Sequence, residues 1–252
     1  MPVQSVSFQN PAGEALSGLL ELPEATPPFA FGLFAHCFTC SKDFKAPAWV
    51  SQSLAEQGVA TLRFDFPGLG GSEGRFADTT LTKNVTDVVS AAEYLAVHHA
   101  APAVLIGHSM GGAAVLRAAS RVPNVRLVAA LAAPAEPGAV GPGLLEARQS
   151  LERDGVARFA VAGRTMELRR DFFDDLAAAP LLDEVARLDA TLLVFHSPTD
   201  TIVPLDNAER LYAAAPYPKG ILALDGASHL FDRREDCRFI ADTIAAWCRR
   251  EG

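Results

Sequence analysis

The sequence predicts an α/β fold: a mostly parallel central sheet with helices on both faces and a small cap inserted at about residues 134–180, within one domain that runs from 1 to 252. Three observations lead there. Strand, loop and helix patterns repeat in order, which calls for parallel strands joined by crossover helices. Glycines and prolines punctuate the joins. The alternation breaks once, between Pro134 and Pro180, and then resumes. With 252 residues and 49% apolar content, the chain has material for one large core, which excludes a disordered protein or a mini-protein that depends on disulfides.

In chain order, Val3 to Phe8 and Leu16 to Leu22 alternate like strands about the turn Asn10-Pro11-Ala12-Gly13, an opening antiparallel hairpin. After the break from Pro23 to Pro28, the apolar run Phe29 to Ala35 ends in His36-Cys37-Phe38-Thr39-Cys40-Ser41-Lys42-Asp43. A helix is expected near Ala46 to Gln57, stopped by Gly58. The strand Val59 to Phe64 runs into the glycine-rich turn Asp65 to Ser72. Val85, Val88, Val89, Ala92 and Leu95 recur at helical spacing. Ala103 to Ile106 reads as a short buried strand, Ser109 to Arg121 as a helix and Val125 to Leu131 as another strand.

The interruption opens with Pro134, Pro137, Gly138, Gly141, Pro142 and Gly143, continues with a charged helical stretch around Leu144 to Arg153, and offers a hairpin, Phe159 to Leu168, about Gly163-Arg164. The strand Leu192 to Phe195, a helix over Asp206 to Ala215 and the strand Ile221 to Leu224 restore the alternation. A last helix carries Cys237, Ile240, Ala241, Ile244, Trp247 and Cys248 on one face.

A net charge of −8 with scattered Arg and Lys leaves no electrostatic footprint for a polyphosphate, so nucleic acid is not an expected partner. The opening MPVQSVSFQN lacks the basic and apolar regions of an export signal, and no run reaches the ~18 apolar residues of a membrane span. Four cysteines in a chain this long fit reduced thiols, and a cytoplasmic location is expected. Cys37-x-x-Cys40 has no second ligand pair at zinc-like spacing and no thioredoxin-like context, so neither a metal nor a redox role is expected.

Gly107-His108-Ser109-Met110-Gly111 fits G-x-S-x-G, and it lies between an apolar strand and a helix rich in small residues. A serine on that sharp turn sits near the positive end of a helix, which favours an anionic intermediate. A serine hydroxyl is a weak nucleophile and needs a base, and the base needs an orienting group. His229 and Asp200 follow separate strands and fall on the same edge of the sheet, in the order Ser, Asp, His. Asp206 and Asp225 are rival acids; motif position favours Asp200. His98 and His99 suit a helix C-terminus, while His36 and His108 read as groups that order loops. The oxyanion donors are expected to be the N–H of Met110 and, from the loop after the Phe29 to Ala35 strand, that of Phe38.

With these motifs the sequence resembles the α/β-hydrolase superfamily along essentially its whole length. More narrowly, His36 to Asp43, Arg63-Phe64-Asp65-Phe66 and His196-Ser197-Pro198-Thr199-Asp200 resemble the hydrolase half of bacterial proteins that join such a domain to a C-terminal peroxiredoxin-like domain of the osmotically inducible protein C type. The resemblance implies a serine esterase with Ser109, Asp200 and His229 as its triad; peroxidase activity of the second domain is not carried over. Two departures add side chains beside the site: Cys37 stands where many members have the glycine of a His-Gly turn, and Ser197 where many have glycine before the acid.

The expected reaction is ester hydrolysis through an acyl-enzyme, without cofactor or metal, on a small-molecule ester. Apolar cap residues (Leu144, Leu145, Phe159, Met166, Phe172, Phe173) suggest an apolar ligand. Thioesterase, lactonase, amidase or acyltransferase chemistry would use the same residues, and a binding module that keeps the triad is the reading from a different class. Activity should fall in acid, because His229 must be neutral to act as base.

Overall fold

The computed structural model describes residues 2–24, 26–139, 142–161 and 164–250. Strands β1 (Val3–Gln9) and β2 (Ala15–Glu21) form the antiparallel hairpin, with Val3 opposite Glu21 and Gln9 opposite Ala15. Its turn is held by the Asn10 side chain, whose Oδ1 accepts the N–H groups of Ala12 and Glu14, both at 3.1 Å. There follow β3 (Ala30–Ala35), α1 (Lys45–Glu56), β4 (Val59–Phe64), α2 (Leu81–His98), β5 (Val104–His108), α3 (Met110–Ala118) and β6 (Leu127–Leu131).

Between β6 and the next sheet strand the chain forms α4 (Pro142–Asp154), the hairpin β7 (Ala157–Val161) and β8 (Arg164–Leu168), α5 (Arg170–Ala178) and α6 (Leu181–Val185). It then continues through β9 (Thr191–His196), α7 (Asp206–Ala214), β10 (Lys219–Ala223) and α8 (Arg234–Arg250). Gly141 and the β7–β8 turn with Gly163 lie outside the described residues.

The main sheet runs β1-β2-β4-β3-β5-β6-β9-β10. Only the β1–β2 and β2–β4 pairs are antiparallel; every later pair is parallel. All residues of β4, β5, β6 and β9 are buried, which is why these strands read as continuous apolar runs rather than as half-polar ones. Successive side chains alternate between two apolar layers. Phe34, Ile106 and Phe195 face Val50 and Leu54 of α1 and Ile240 and Ile244 of α8. Leu33, Leu105 and Val194 face Val88 and Leu95 of α2 and Val115 of α3.

The inserted segment joins the α2–α3 layer: Leu168, Phe172 and Leu176 are buried in it. Phe172 and Phe173, expected as part of an apolar ligand surface, are therefore largely core. The edge strand β10 begins at Lys219, before its apolar residues, because its register is set by pairing Lys219 with Leu192 and not by burial.

Candidate active site

Every crossover after β3 returns the chain to the same edge of the sheet, so the loops after β3, β5, β9 and β10 converge at the C-terminal ends of the strands. The β5–α3 turn is the tightest of them. A Cβ on Gly107 would lie 2.3 Å from the Gly111 carbonyl oxygen, and one on Gly111 would lie 2.3 Å from that of His36. Only glycine lets α3 start this close to β5 and β3. Between the two glycines Ser109 takes φ 55° and ψ −120°, a backbone that non-glycine residues adopt under constraint. The Ser109 N–H donates to the Leu131 carbonyl at 2.8 Å, and its own carbonyl accepts from Gly112 and Ala113, so the turn is held from both sides.

The imidazole of His229 stands 3.2 Å from Ser109 Oγ through Nε2 and 2.7 Å from Asp200 Oδ2 through Nδ1. A carboxylate partner fixes the proton on Nδ1 and leaves Nε2 free to accept from the hydroxyl. Asp200 is itself held: its Oδ1 accepts the N–H groups of Ile202 at 2.8 Å and Val203 at 3.0 Å. Burial pushes its pKa upward, but the hydrogen bonds from His229, Val203 and Ile202 outweigh it, and the carboxyl stays below its ordinary range. Ser197 is fully buried and its Oγ accepts the Thr199 N–H at 3.3 Å, so this hydroxyl orders the acid loop. Of the rival acids, Asp206 opens α7, and among the described residues His229 makes its carboxylate contact with Asp200.

Phe38 and Met110 line one narrow cavity together with His36 and Gly111. Their N–H groups donate to no acceptor among the described residues. The loop that carries Phe38 is pinned by a buried charge cluster that the sequence reading passed over. Asp65 accepts Lys42 N at 2.7 Å, Lys42 Nζ at 2.6 Å and Gly71 N at 2.8 Å. Arg63 bridges the Lys42 carbonyl at 2.7 Å and Glu21 at 2.8 Å. The available signal is the pair Arg63 and Asp65, charged residues that interrupt the otherwise apolar run Val59 to Phe66.

One expectation is corrected here. Cys37 and Cys40 are joined in a disulfide, with their Cα atoms 5.4 Å apart, so these two are not reduced thiols. The turn that brings the Cys40 N–H to the Cys37 carbonyl at 3.2 Å places the side chains together, and the cysteine content therefore no longer argues for a reducing compartment. Cys237 and Cys248 are buried on α8 outside any disulfide, and burial pushes the Cys237 thiol up to about 12. Among the described residues no helix is long and apolar enough to cross a membrane.

Residues 33–248 match the alpha/beta hydrolase family. The chain belongs to that family. It superposes on the esterase domain of a Rhodothermus marinus protein with a TM-score of 0.80 and 40% identity, covering 99% of both chains. Est1E from Butyrivibrio proteoclasticus, solved with ferulic acid bound, shares the fold with a TM-score of 0.79 at 21% identity, over 97% of this chain and 98% of that one. An uncharacterized protein of Mycobacterium tuberculosis is 29% identical over 200 residues, 78% of this chain. The chain spans 62% of the length of that relative.

Proposed function

We propose that this alpha/beta hydrolase cleaves carboxylic esters of small molecules through an acyl-enzyme formed on Ser109. The observation that carries the reading is the unbroken relay from Asp200 Oδ2 through the His229 ring to Ser109 Oγ, at 2.7 and 3.2 Å. As Ser109 Oγ attacks the carbonyl carbon, His229 Nε2 takes its proton, and the imidazolium is balanced by Asp200. The unpaired N–H groups of Phe38 and Met110 meet the negative oxygen of the tetrahedral intermediate, donors of a kind worth roughly 3–4 kcal/mol each in comparable hydrolases. Collapse breaks the ester C–O bond, and the leaving alkoxide receives the proton from His229. Water then attacks the acyl carbon while His229 takes a proton from it. Ser109 leaves with that proton and the carboxylic acid is released. The likeness to the Rhodothermus marinus esterase domain supports the choice of esters.

The test is hydrolysis of p-nitrophenyl esters with labelling by a fluorophosphonate. The wild-type protein is expected to do both, with kcat/KM lower in acid, because only a neutral imidazole accepts the Ser109 proton. Ser109→Ala is expected to lose both while keeping its circular dichroism spectrum. Labelling that survives the substitution would move the nucleophile elsewhere, and tight ligand binding without turnover would favour a binding module.

A further inference from the structure

The cavity that Phe38 and Met110 share is walled by the side chains of Phe38, Phe66, Leu69, Phe76 and Met110. Its walls are crowded. The Phe38 ring lies 5.1 Å from that of Phe76, 4.8 Å from Phe172 of α5 and 6.1 Å from Phe159 of β7, centroid to centroid. Phe76 also meets Phe159 at 6.4 Å. The residue whose N–H faces the reacting oxygen is thus clamped by its own side chain under two rings of the inserted segment. The space left inside holds about one water-sized group. Its remaining lining is polar: Thr79 and Asn84 are buried there, paired with each other at 3.4 Å. An alkyl chain driven further in would meet packed rings and desolvate those two groups.

We infer that this cavity receives the acyl side of the substrate and that Phe76, backed by Phe38 and Phe159, limits it to acetyl- and propionyl-sized groups. The inference rests on the serine esterase reading above and narrows it to short-chain acyl esters. A carbonyl oxygen seated between the N–H groups of Phe38 and Met110 leaves its acyl carbon beside the side chains of the same two residues. The alcohol portion, which does not enter this cavity, is left unrestricted by it. Each methylene that a packed pocket must reject changes kcat/KM by about ten-fold or more, so the cut-off is expected to be steep.

The experiment compares kcat/KM for p-nitrophenyl acetate, propionate, butyrate, hexanoate and octanoate, which differ only in the acyl group. Wild-type activity is expected to peak at acetate or propionate and to fall at least about ten-fold by hexanoate. Phe76→Ala is expected to raise the hexanoate-to-acetate ratio about ten-fold or more. Phe76→Leu and Phe159→Ala, gentler on folding, should raise it by less. Val97→Ala, exposed on α2 at the edge of the sheet away from the site, should leave the ratio as in wild type. A wild-type peak at butyrate or beyond overturns the inference, as does an unchanged ratio in the folded Phe76→Leu and Phe159→Ala proteins. Loss of both hydrolysis and fluorophosphonate labelling at every chain length instead removes the serine esterase reading, and the inference with it.

Discussion

Of the histidines gathered at the edge of the sheet, the partner of each ring nitrogen fixes what the ring can do. His108 Nε2 lies 2.8 Å from the His229 carbonyl, and His196 Nε2 lies 2.7 Å from the Val203 carbonyl. A carbonyl only accepts, so both rings carry their proton on Nε2 and spend it on the backbone. Burial and the neighbouring His229 hold His108 down to about 3, so it stays neutral and ties the Ser109 turn to the His229 loop. His36 donates from Nδ1 to the Cys37 carbonyl at 2.7 Å and accepts the Phe66 N–H on Nε2 at 3.3 Å. In this set only His229 presents an accepting nitrogen to a hydroxyl. Its tautomer depends on a single carboxylate, and Asn at position 200 could equally well present N–H to Nδ1 and reverse it. Asp200→Asn is therefore expected to lower kcat by about three to four orders of magnitude with little change in stability, read in steady-state kinetics and thermal melts. If Asp206→Asn or Asp225→Asn produced that loss instead, the relay would end at a different acid.

At the level of elements, helix α2 carries a second buried carboxylate with a different task. Asp87 is buried beneath the β1–β2 turn, where the Asn10 side chain donates to its Oδ1 at 2.9 Å while Oδ2 has no hydrogen-bond partner among the described residues. Burial raises its pKa from the ordinary 3.8 to about 6, only partly opposed by the Asn10 hydrogen bond. The folded state thus holds a proton that the unfolded chain releases earlier. Between about pH 4 and 6 stability falls as the pH rises, and above that the full cost of the buried charge is present. Asp87→Asn keeps an acceptor for Asn10 and removes the charge. The variant is expected to be more stable than wild type by about 1–3 kcal/mol at pH 8, with the difference closing below pH 4, as measured by urea denaturation at the two pH values. A gain that persisted undiminished at pH 3.5 would assign it to packing and not to ionisation.

Over the whole molecule, what was legible in the sequence is what local pattern encodes. The buried strands announce themselves as apolar runs, and the glycines flanking Ser109 mark a turn that tolerates no side chain. The order of the sheet, with β4 seated between β2 and β3, depends on contacts far apart in sequence, as does the Lys42–Asp65 pair. Local periodicity cannot register them. The same topology separates stability from chemistry. Each parallel strand runs toward the edge that holds Ser109, His229 and Asp200, and each preceding helix runs back, so the C-terminal turn of α2 lies at the opposite edge, just before β5 begins. Leu95 is fully buried in that turn, in the layer that also holds Phe8 and Leu105. Leu95→Ala leaves a cavity that a close-packed layer closes only in part, at an expected cost of about 2–5 kcal/mol. For a chain of this size the melting temperature should drop by roughly 5–15 °C. At 25 °C, where the variant remains folded, kcat/KM for p-nitrophenyl acetate should stay within about two-fold of wild type, because Leu95 lies at the edge of the sheet opposite the candidate site. A parallel loss of activity at that temperature would show that the α2 layer sets the geometry of the relay as well as the stability of the fold.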